Sequence, residues 1–298
     1  MAHVHDGEGE LPTTIGRTFA IGIALNVGFV IVEGLYGWRA GSLALLADAF
    51  HNLSDVGGLL LAWAGLAAGR LAANDRHTYG WRRGSILASF VNAVLLLVAM
   101  GSLAWEAVHR LGSPTAIDGM TVIVVAAIGV VINVATAALF FRGRKGDLNI
   151  RAAFLHMAAD ALVSLGVVAA GTLYLWRSWA WIDPVMSLIV AGVVVVGTWS
   201  LFRESLHLLF DGVPEGIDLG EVRAALLALP GVRDLHELHV WGMASSQTAL
   251  TAHLVLEAQH DDPDALLRAA THALRERFKI QHVTLQLEST NCPSGGRC

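Results

Sequence analysis

Charge is scarce in this sequence: only 15% of its 298 residues are Asp, Glu, Lys or Arg, while 54% are hydrophobic. A soluble domain usually carries about 25% charged residues, so most of this chain is not written for water. Cysteine is scarcer still, with Cys292 and Cys298 both close to the end of the sequence. A bridge between them would close only a tail loop, which excludes a disulfide framework. The net charge of −5 leaves no basic stripe, so nucleic acid is not an expected partner. The opening residues lack a short apolar core followed by a small-residue cleavage site, and a cleaved signal peptide is not expected.

Long hydrophobic runs are what the sequence has instead. Spanning a bilayer takes about 20 mostly apolar residues, and six stretches qualify, at about 18–38, 43–68, 86–108, 119–141, 152–176 and 181–201. The second connection holds Arg70, Arg76, Arg82 and Arg83, and the fourth holds Arg142, Arg144, Lys145 and Arg151. The other short connections hold little beyond Arg39, Arg110 and Arg177. Positive charge marks the cytoplasmic side, so an even number of spans places both termini in the cytoplasm. Trp38, Trp176, Trp179 and Trp181 fall at span ends, where amphipathic rings favour the interface.

From about His207 the pattern changes. Residues 218–229 have helical periodicity and stop at Pro230-Gly231. Residues 235–241 and 250–257 alternate like strands, Asp262 opens a helix to about 278, and 282–288 alternates again. The expected fold is therefore an α-helical membrane protein of six transmembrane helices with a C-terminal cytoplasmic α+β domain of order αββαβ. The expected division is an N-terminal tail (1–15), the membrane domain (16–206), the cytoplasmic domain (207–290) and a Cys-containing tail (291–298). A domain of such size is small and gains from dimerisation.

The chemistry sits inside the spans. The second contains His51 and Asp55, the fifth His156 and Asp160. Positions i and i+4 share one helix face, so each helix presents an imidazole and a carboxylate in the same direction. Two such helices facing each other supply two nitrogens and two oxygens, a tetrahedral set suited to Zn²⁺ and open to Co²⁺, Ni²⁺ or Cd²⁺. A lone intramembrane histidine could simply hydrogen-bond a neighbouring helix. Two ionisable pairs of identical spacing are costly in hydrocarbon unless paired or metal-bound, which favours a metal site. Asp48 falls near the face of His51, either as an acceptor orienting its ring or as part of a local polar cluster. Asn26 and Glu33, seven apart on the first span, either line a wet access route or hydrogen-bond between helices.

The C-terminal domain holds further histidines: His236 and His239, His253 in the next strand, and His282 with Glu288 in the last. In a regular strand His236 and His239 face opposite sides. A sheet edge gathering His236, His253 and His282 would make a regulatory metal site; otherwise these are ordinary surface residues. Cys292 and Cys298 could add thiolates to it, and His3 and His5 form a thin version of a metal-collecting tract.

With the motifs Gly41-Ser-Leu-Ala-Leu-Leu-Ala-Asp-Ala-Phe-His51-Asn-Leu-Ser-Asp55, Tyr79-Gly-Trp-Arg, His156-Met-Ala-Ala-Asp160 and His236-Glu-Leu-His239-Val-Trp241, the chain resembles the cation diffusion facilitators. The resemblance is to the branch of bacterial zinc/cobalt/cadmium efflux proteins and vesicular zinc transporters, and covers about residues 15–290. It implies a homodimeric proton/metal antiporter of the bacterial inner membrane, with a cytoplasmic domain of metallochaperone-like fold. It carries the transport site onto His51, Asp55, His156 and Asp160, and cytoplasmic metal binding onto His236, His253, His282 and Glu288. A further family site in the second connection would keep Asp75 and His77 here, with Asn74 and Trp81 in place of other ligands. Ser85 stands where similar proteins usually have Glu. A charge pair of the relatives maps onto Arg83 and Asp211.

The expected activity is thus efflux of Zn²⁺ by proton antiport through alternating access. A membrane metal sensor without transport is the alternative. An intramembrane metalloprotease would need His-Glu-x-x-His, which is absent.

Overall fold

The computed structural model describes residues 13–69, 73–113, 115–141, 148–257 and 262–289. The histidines of the N-terminal tail, Cys292 and Cys298, and Arg70, Arg142, Arg144 and Lys145 lie outside them. Six long helices come first: α1 (Thr13–Ala40), α2 (Leu43–Gly69), α3 (Gly84–Gly112), α4 (Gly119–Phe140), α5 (Leu148–Arg177) and α6 (Ile182–Leu209). Among the described residues, four segments are long and apolar enough to cross a membrane: Gly84–Gly112, Gly119–Ala138, Phe154–Arg177 and Ile182–Leu209. Large aliphatic side chains stand exposed along them, including Leu95, Val98, Val131, Leu162 and Val196. In water such surface would be a liability; against lipid tails it costs nothing.

The chain divides into two compact units. One comprises α1, α2 as far as Leu59, α3 from Asn92, α4, α5, and α6 as far as Trp199. Its packing needs small residues at close approaches: Gly37 of α1 lies against the backbone of Leu45 and Leu46, and Gly171 of α5 faces Val122 and Ile123 of α4. The turn after α1 uses Gly41 at φ +69°, where a side chain would be strained. Its carbonyl accepts from Arg110 Nη1 at 2.6 Å. Asp183, at the start of α6, accepts from the Ser42 hydroxyl and from the backbone N–H of Leu43, which caps α2. Asp118 caps α4, and the Thr121 hydroxyl and N–H that it accepts hold its carboxyl below the usual aspartate range.

The other unit contains the remaining part of α2 from Leu60, α3 up to Val91, α6 from Ser200, and everything after it. Here α7 (Leu219–Leu227), β1 (Val232–Ala244), β2 (Gln247–Leu256), α8 (Pro263–Phe278) and β3 (His282–Glu288) follow in the order read from the sequence. The expected helix starts hold because Asp218 and Asp262 act as N-caps, the latter followed by Pro263. The first two strands are longer than the alternation indicated, since their pairing extends to the turn between Ala244 and Gln247. β2 pairs β1 antiparallel and β3 parallel. One sheet face carries Leu235, Val240, Leu250, Ala252 and Leu254, which pack on Val222 and Leu226 of α7 and on Leu266, Ala270 and Leu274 of α8. The i, i+4, i+8 spacing on α8 is the apolar stripe that buries it.

β1 is not regular. Its register against β2 shifts by one residue between His236 and His239, with Glu237 at φ +49°. This bulge overturns the expectation that His236 and His239 face opposite sides. Both lie opposite residues of β2 that share a face, His253 and Thr251.

Candidate metal centres

The two intramembrane pairs converge within the first unit. His51 Nε2 lies 3.8 Å from Asp55 Oδ2 on its own helix and 3.3 Å from Asp160 Oδ1 on α5. His156 Nε2 lies 3.1 Å from Asp55 Oδ2 and 3.7 Å from Asp160 Oδ2. The two rings meet edge to face, with centroids 5.9 Å apart. Zinc bonds of about 2.0–2.1 Å to nitrogen and oxygen imply ligand atoms about 3.3–3.4 Å apart at the corners of a tetrahedron. The four distances bracket that edge, and His51, Asp55 and Asp160 place ligand atoms within 4.8 Å of one another, a group of three that does not include His156.

Exposure is graded across the four. The side chain of Asp160 is 3% exposed and that of His51 19%, against 34% for Asp55 and 43% for His156. Along the chain Asp55 stands at the middle of α2, four residues closer than His51 to its C-terminal end, and His156 stands four residues closer than Asp160 to the N-terminal end of α5; Asp160 is the most enclosed of the four.

Neighbouring polar groups fix the two helices. Asn92 of α3 donates to the Ser54 hydroxyl at 3.0 Å, one residue before Asp55. Asp48 Oδ2 accepts from Ser164 Oγ of α5 at 2.9 Å, and Glu33 Oε2 accepts from Asn52 Nδ2 at 3.1 Å. Asp48 is thus part of a local polar cluster, the second of the two roles open to it. His51 Nδ1 has no hydrogen-bond partner among the described residues. Glu33 is fully buried and bonded between helices, so it does not line a wet route. Asn52 and Ser164 are participants that the sequence reading passed over. The signal was present, since Asn52 follows Asp48 by four and Ser164 follows Asp160 by four, continuing the same stripes.

A second cluster forms on the outer face of the sheet. His236 Nε2 lies 2.9 Å from Glu288 Oε2, and His253 Nδ1 lies 2.9 Å from Glu288 Oε1. The two rings have centroids 5.0 Å apart. Register explains the meeting: His236 is opposite His253, and Glu288 is opposite Val255 on the other side of β2. Desolvation works against the Glu288 charge. Hydrogen bonds from His236 and Gln286, with both imidazoles nearby, outweigh it and hold the carboxyl below the usual glutamate range. The donors number three, which leaves a fourth position on a tetrahedral ion for water or another ligand.

His282 does not belong to this cluster, contrary to expectation. It sits six residues from Glu288 on one strand, roughly 20 Å away at ~3.3 Å per residue, and meets the Tyr79 ring instead. His239 turns to Glu237, 2.9 Å away. In the second connection His77 stacks on Trp81, with centroids 4.2 Å apart. Among the described residues, Asp75 and His77 join no group of three potential ligands. The structure brings Arg83 and Asp211 together as an exposed ion pair. Ser85 accepts from the backbone N–H of Ser245, a contact within this unit that its short side chain permits.

Comparison with known proteins agrees with this layout. A model of the cation efflux transmembrane domain matches residues 19–210, and one of the cation efflux protein cytoplasmic domain matches 214–290. The chain is 35% identical over 291 residues to the metal cation efflux system protein CzcD of Cupriavidus metallidurans, covering 98% of this chain and 90% of the relative. It is 35% identical over 296 residues to the zinc transporter ZitB of Escherichia coli, covering 98% and 94%. It is 33% identical over 277 residues to the cadmium, cobalt and zinc/H(+)-K(+) antiporter of Bacillus subtilis, covering 92% and 89%. With both of its domains matched in order along nearly the whole sequence, the chain belongs to the cation efflux family, the cation diffusion facilitators.

Proposed function

We propose that this protein exports divalent transition metal ions, Zn²⁺ first, in exchange for protons. It does so by alternating access in a six-helix domain of the bacterial inner membrane. It works as a homodimer with both termini cytoplasmic and the αββαβ domain, metallochaperone-like in fold, beside them. The observation that carries the reading is the convergence of His51, Asp55, His156 and Asp160 at ligand-edge distances. With neutral imidazoles the four carry a charge of −2, which one divalent ion cancels. Two protonated imidazoles cancel it equally well.

That equivalence is the basis of exchange. An imidazole must be neutral to ligate a metal and ordinarily titrates near ~6.5, so protons arriving from an acidic side compete directly with the ion. No thiolate holds the cargo, which favours release. The greater exposure of Asp55 and His156 supports entry from the end of the Arg-rich connections, the cytoplasmic side under the positive-inside rule. The names of the relatives support zinc as the first substrate and antiport as the mode.

The triad His236, His253 and Glu288 supports metal sensing in the cytoplasmic domain, and also gives the rival reading its footing, a sensor that moves nothing. Glu288→Ala is expected to lower the Zn²⁺ affinity of this triad by roughly 10²-fold. Calorimetry on the whole protein would then show one binding phase lost and the membrane phase intact; two unaltered phases would remove the triad from the metal chemistry. Transport itself is tested by Zn²⁺ uptake into proteoliposomes under an imposed pH gradient. Uptake that collapses with a proton ionophore is the expected result. No uptake of Zn²⁺, Co²⁺ or Cd²⁺ by the wild type would leave the sensor.

A further inference from the structure

A cavity of about 1030 Å³ opens within the second unit and shares no residue with the quartet or with the His236, His253, Glu288 triad. Its walls come mainly from the second connection, the first turn of α3, the end of α6 with the residues just after it, and the second half of β1. Leu87, Leu209, Val213 and Met243 give it an apolar lining, and Tyr79, Trp81 and Trp241 add rings. Its charge is unbalanced. Arg83 is paired with Asp211. Arg82 lines the same cavity half-buried, and among the described residues its guanidinium joins no ion pair. Two guanidiniums against one carboxylate leave one positive charge in excess, and His77 and His239, which also line the cavity, add none when neutral.

The setting says which anion fits. The apolar segments Gly84–Gly112 and Ile182–Leu209 both end at this cavity, which puts it where hydrocarbon gives way to headgroups. Tyr79 and Trp81 are about half exposed, as amphipathic rings at that level are expected to be. Phe210, between the lining residues Leu209 and Asp211, is 81% exposed, an apolar surface that lipid would cover and water would not. A free phosphate could meet Arg82 but would leave most of an apolar cavity of this size unfilled. Nucleic acid needs a track of cations, and one unpaired guanidinium is not a track. A zwitterionic headgroup would bring its own cation to a site already in positive excess. An anionic phospholipid matches both features, with a phosphate for Arg82 and an apolar body for the rings and aliphatic wall.

We propose that this cavity binds one anionic phospholipid, with its phosphate on Arg82 and the upper part of its chains along Leu87 of α3 and Leu209 of α6. The bound lipid touches the second connection, α3, α6 and β1 at once, and so ties together the elements of this unit. That the lipid belongs to the cytoplasmic leaflet rests on the orientation proposed above. The binding itself does not, and neither metal nor a gradient takes part in it.

The test is native mass spectrometry of the whole protein in detergent, titrated with phosphatidylglycerol or with phosphatidylcholine of the same chains. The wild type is expected to retain phosphatidylglycerol at roughly fivefold lower concentration than phosphatidylcholine. Arg82→Gln should weaken phosphatidylglycerol about fivefold, the effect of one guanidinium beside an anionic lipid, and leave phosphatidylcholine unchanged. Leu87→Glu, which adds a negative charge at an exposed position of the lining, should weaken phosphatidylglycerol likewise. Arg177→Gln, in the other unit, should change neither lipid. Thermal melts confirm folding, and phosphatidylglycerol should stabilise the wild type more than Arg82→Gln. Equal retention of the two lipids by the wild type overturns the proposal, as do equal losses in Arg82→Gln and Arg177→Gln. Displacement of phosphatidylglycerol by millimolar inorganic phosphate would give the cavity to a soluble anion and overturn it too. A protein that binds the lipid as expected but moves no metal in proteoliposomes would refute transport and leave the lipid site in place.

Discussion

Asp160→Asn is expected to lower the Zn²⁺ affinity of the membrane site by roughly 10²- to 10³-fold and to reduce proton-driven uptake to background. The asparagine keeps the shape of the side chain, so the change isolates charge. Asp160 is the most enclosed of the four ligands, with one oxygen 3.3 Å from His51 and the other 3.7 Å from His156. It therefore binds where water cannot replace it. Removing one partner of a buried charge set costs about 3–5 kcal/mol, because the remaining charge is left uncompensated. The same change halves the negative charge that a divalent ion must meet. Calorimetric titration of the purified variant, beside a thermal melt to confirm folding, measures the effect. An affinity within a few-fold of wild type in a folded Asp160→Asn protein would disprove the quartet as the metal site.

His51→Asp is expected to move selectivity rather than abolish binding. It leaves one nitrogen and three oxygens, and oxygen donors suit harder cations such as Mn²⁺ better than imidazole does. The preference for Zn²⁺ over Mn²⁺ should fall by roughly tenfold, the equivalent of about 1.4 kcal/mol. The variant also exchanges a group that titrates near ~6.5 for one that titrates near ~3.9 in its free form. The acid-side loss of metal should therefore begin at lower pH than in the wild type. Competition binding with Zn²⁺ and Mn²⁺ across pH reads both effects. An unchanged Zn²⁺/Mn²⁺ ratio would mean that His51 does not touch the ion.

Much of the membrane site was legible because it is written in a local code. His51 and Asp55, like His156 and Asp160, are four residues apart in strongly apolar segments, and helix geometry alone puts each pair on one face. Nothing in that spacing says that the two faces meet at about the edge length of a tetrahedron, which depends on how α2 and α5 rotate and approach. Glu33 shows the limit. Its spacing from Asn26 placed it on a stripe, but a stripe has no address, and the packing of α1 against α2 turned it inward to Asn52. The same packing gave Asp48 to Ser164 rather than to the ring of His51.

The cytoplasmic domain divides in the same way. The order αββαβ followed from period and punctuation, with Asp218, Pro230-Gly231 and Asp262-Pro263 marking the ends. Which histidines share a site depended on register, and register is a property of pairing. A one-residue bulge at Glu237 set His236 against His253, and the parallel pairing of β3 delivered Glu288 to both while carrying His282 to the far end of its strand. The sequence by itself thus determined the membrane character, the order of elements and the two His-x-x-x-Asp pairs, because hydropathy and helical period are properties of neighbouring residues. Only the tertiary structure decided the partners of Glu33, Asp48 and Glu288, because helix rotation and strand register are settled by packing over many residues distant along the chain.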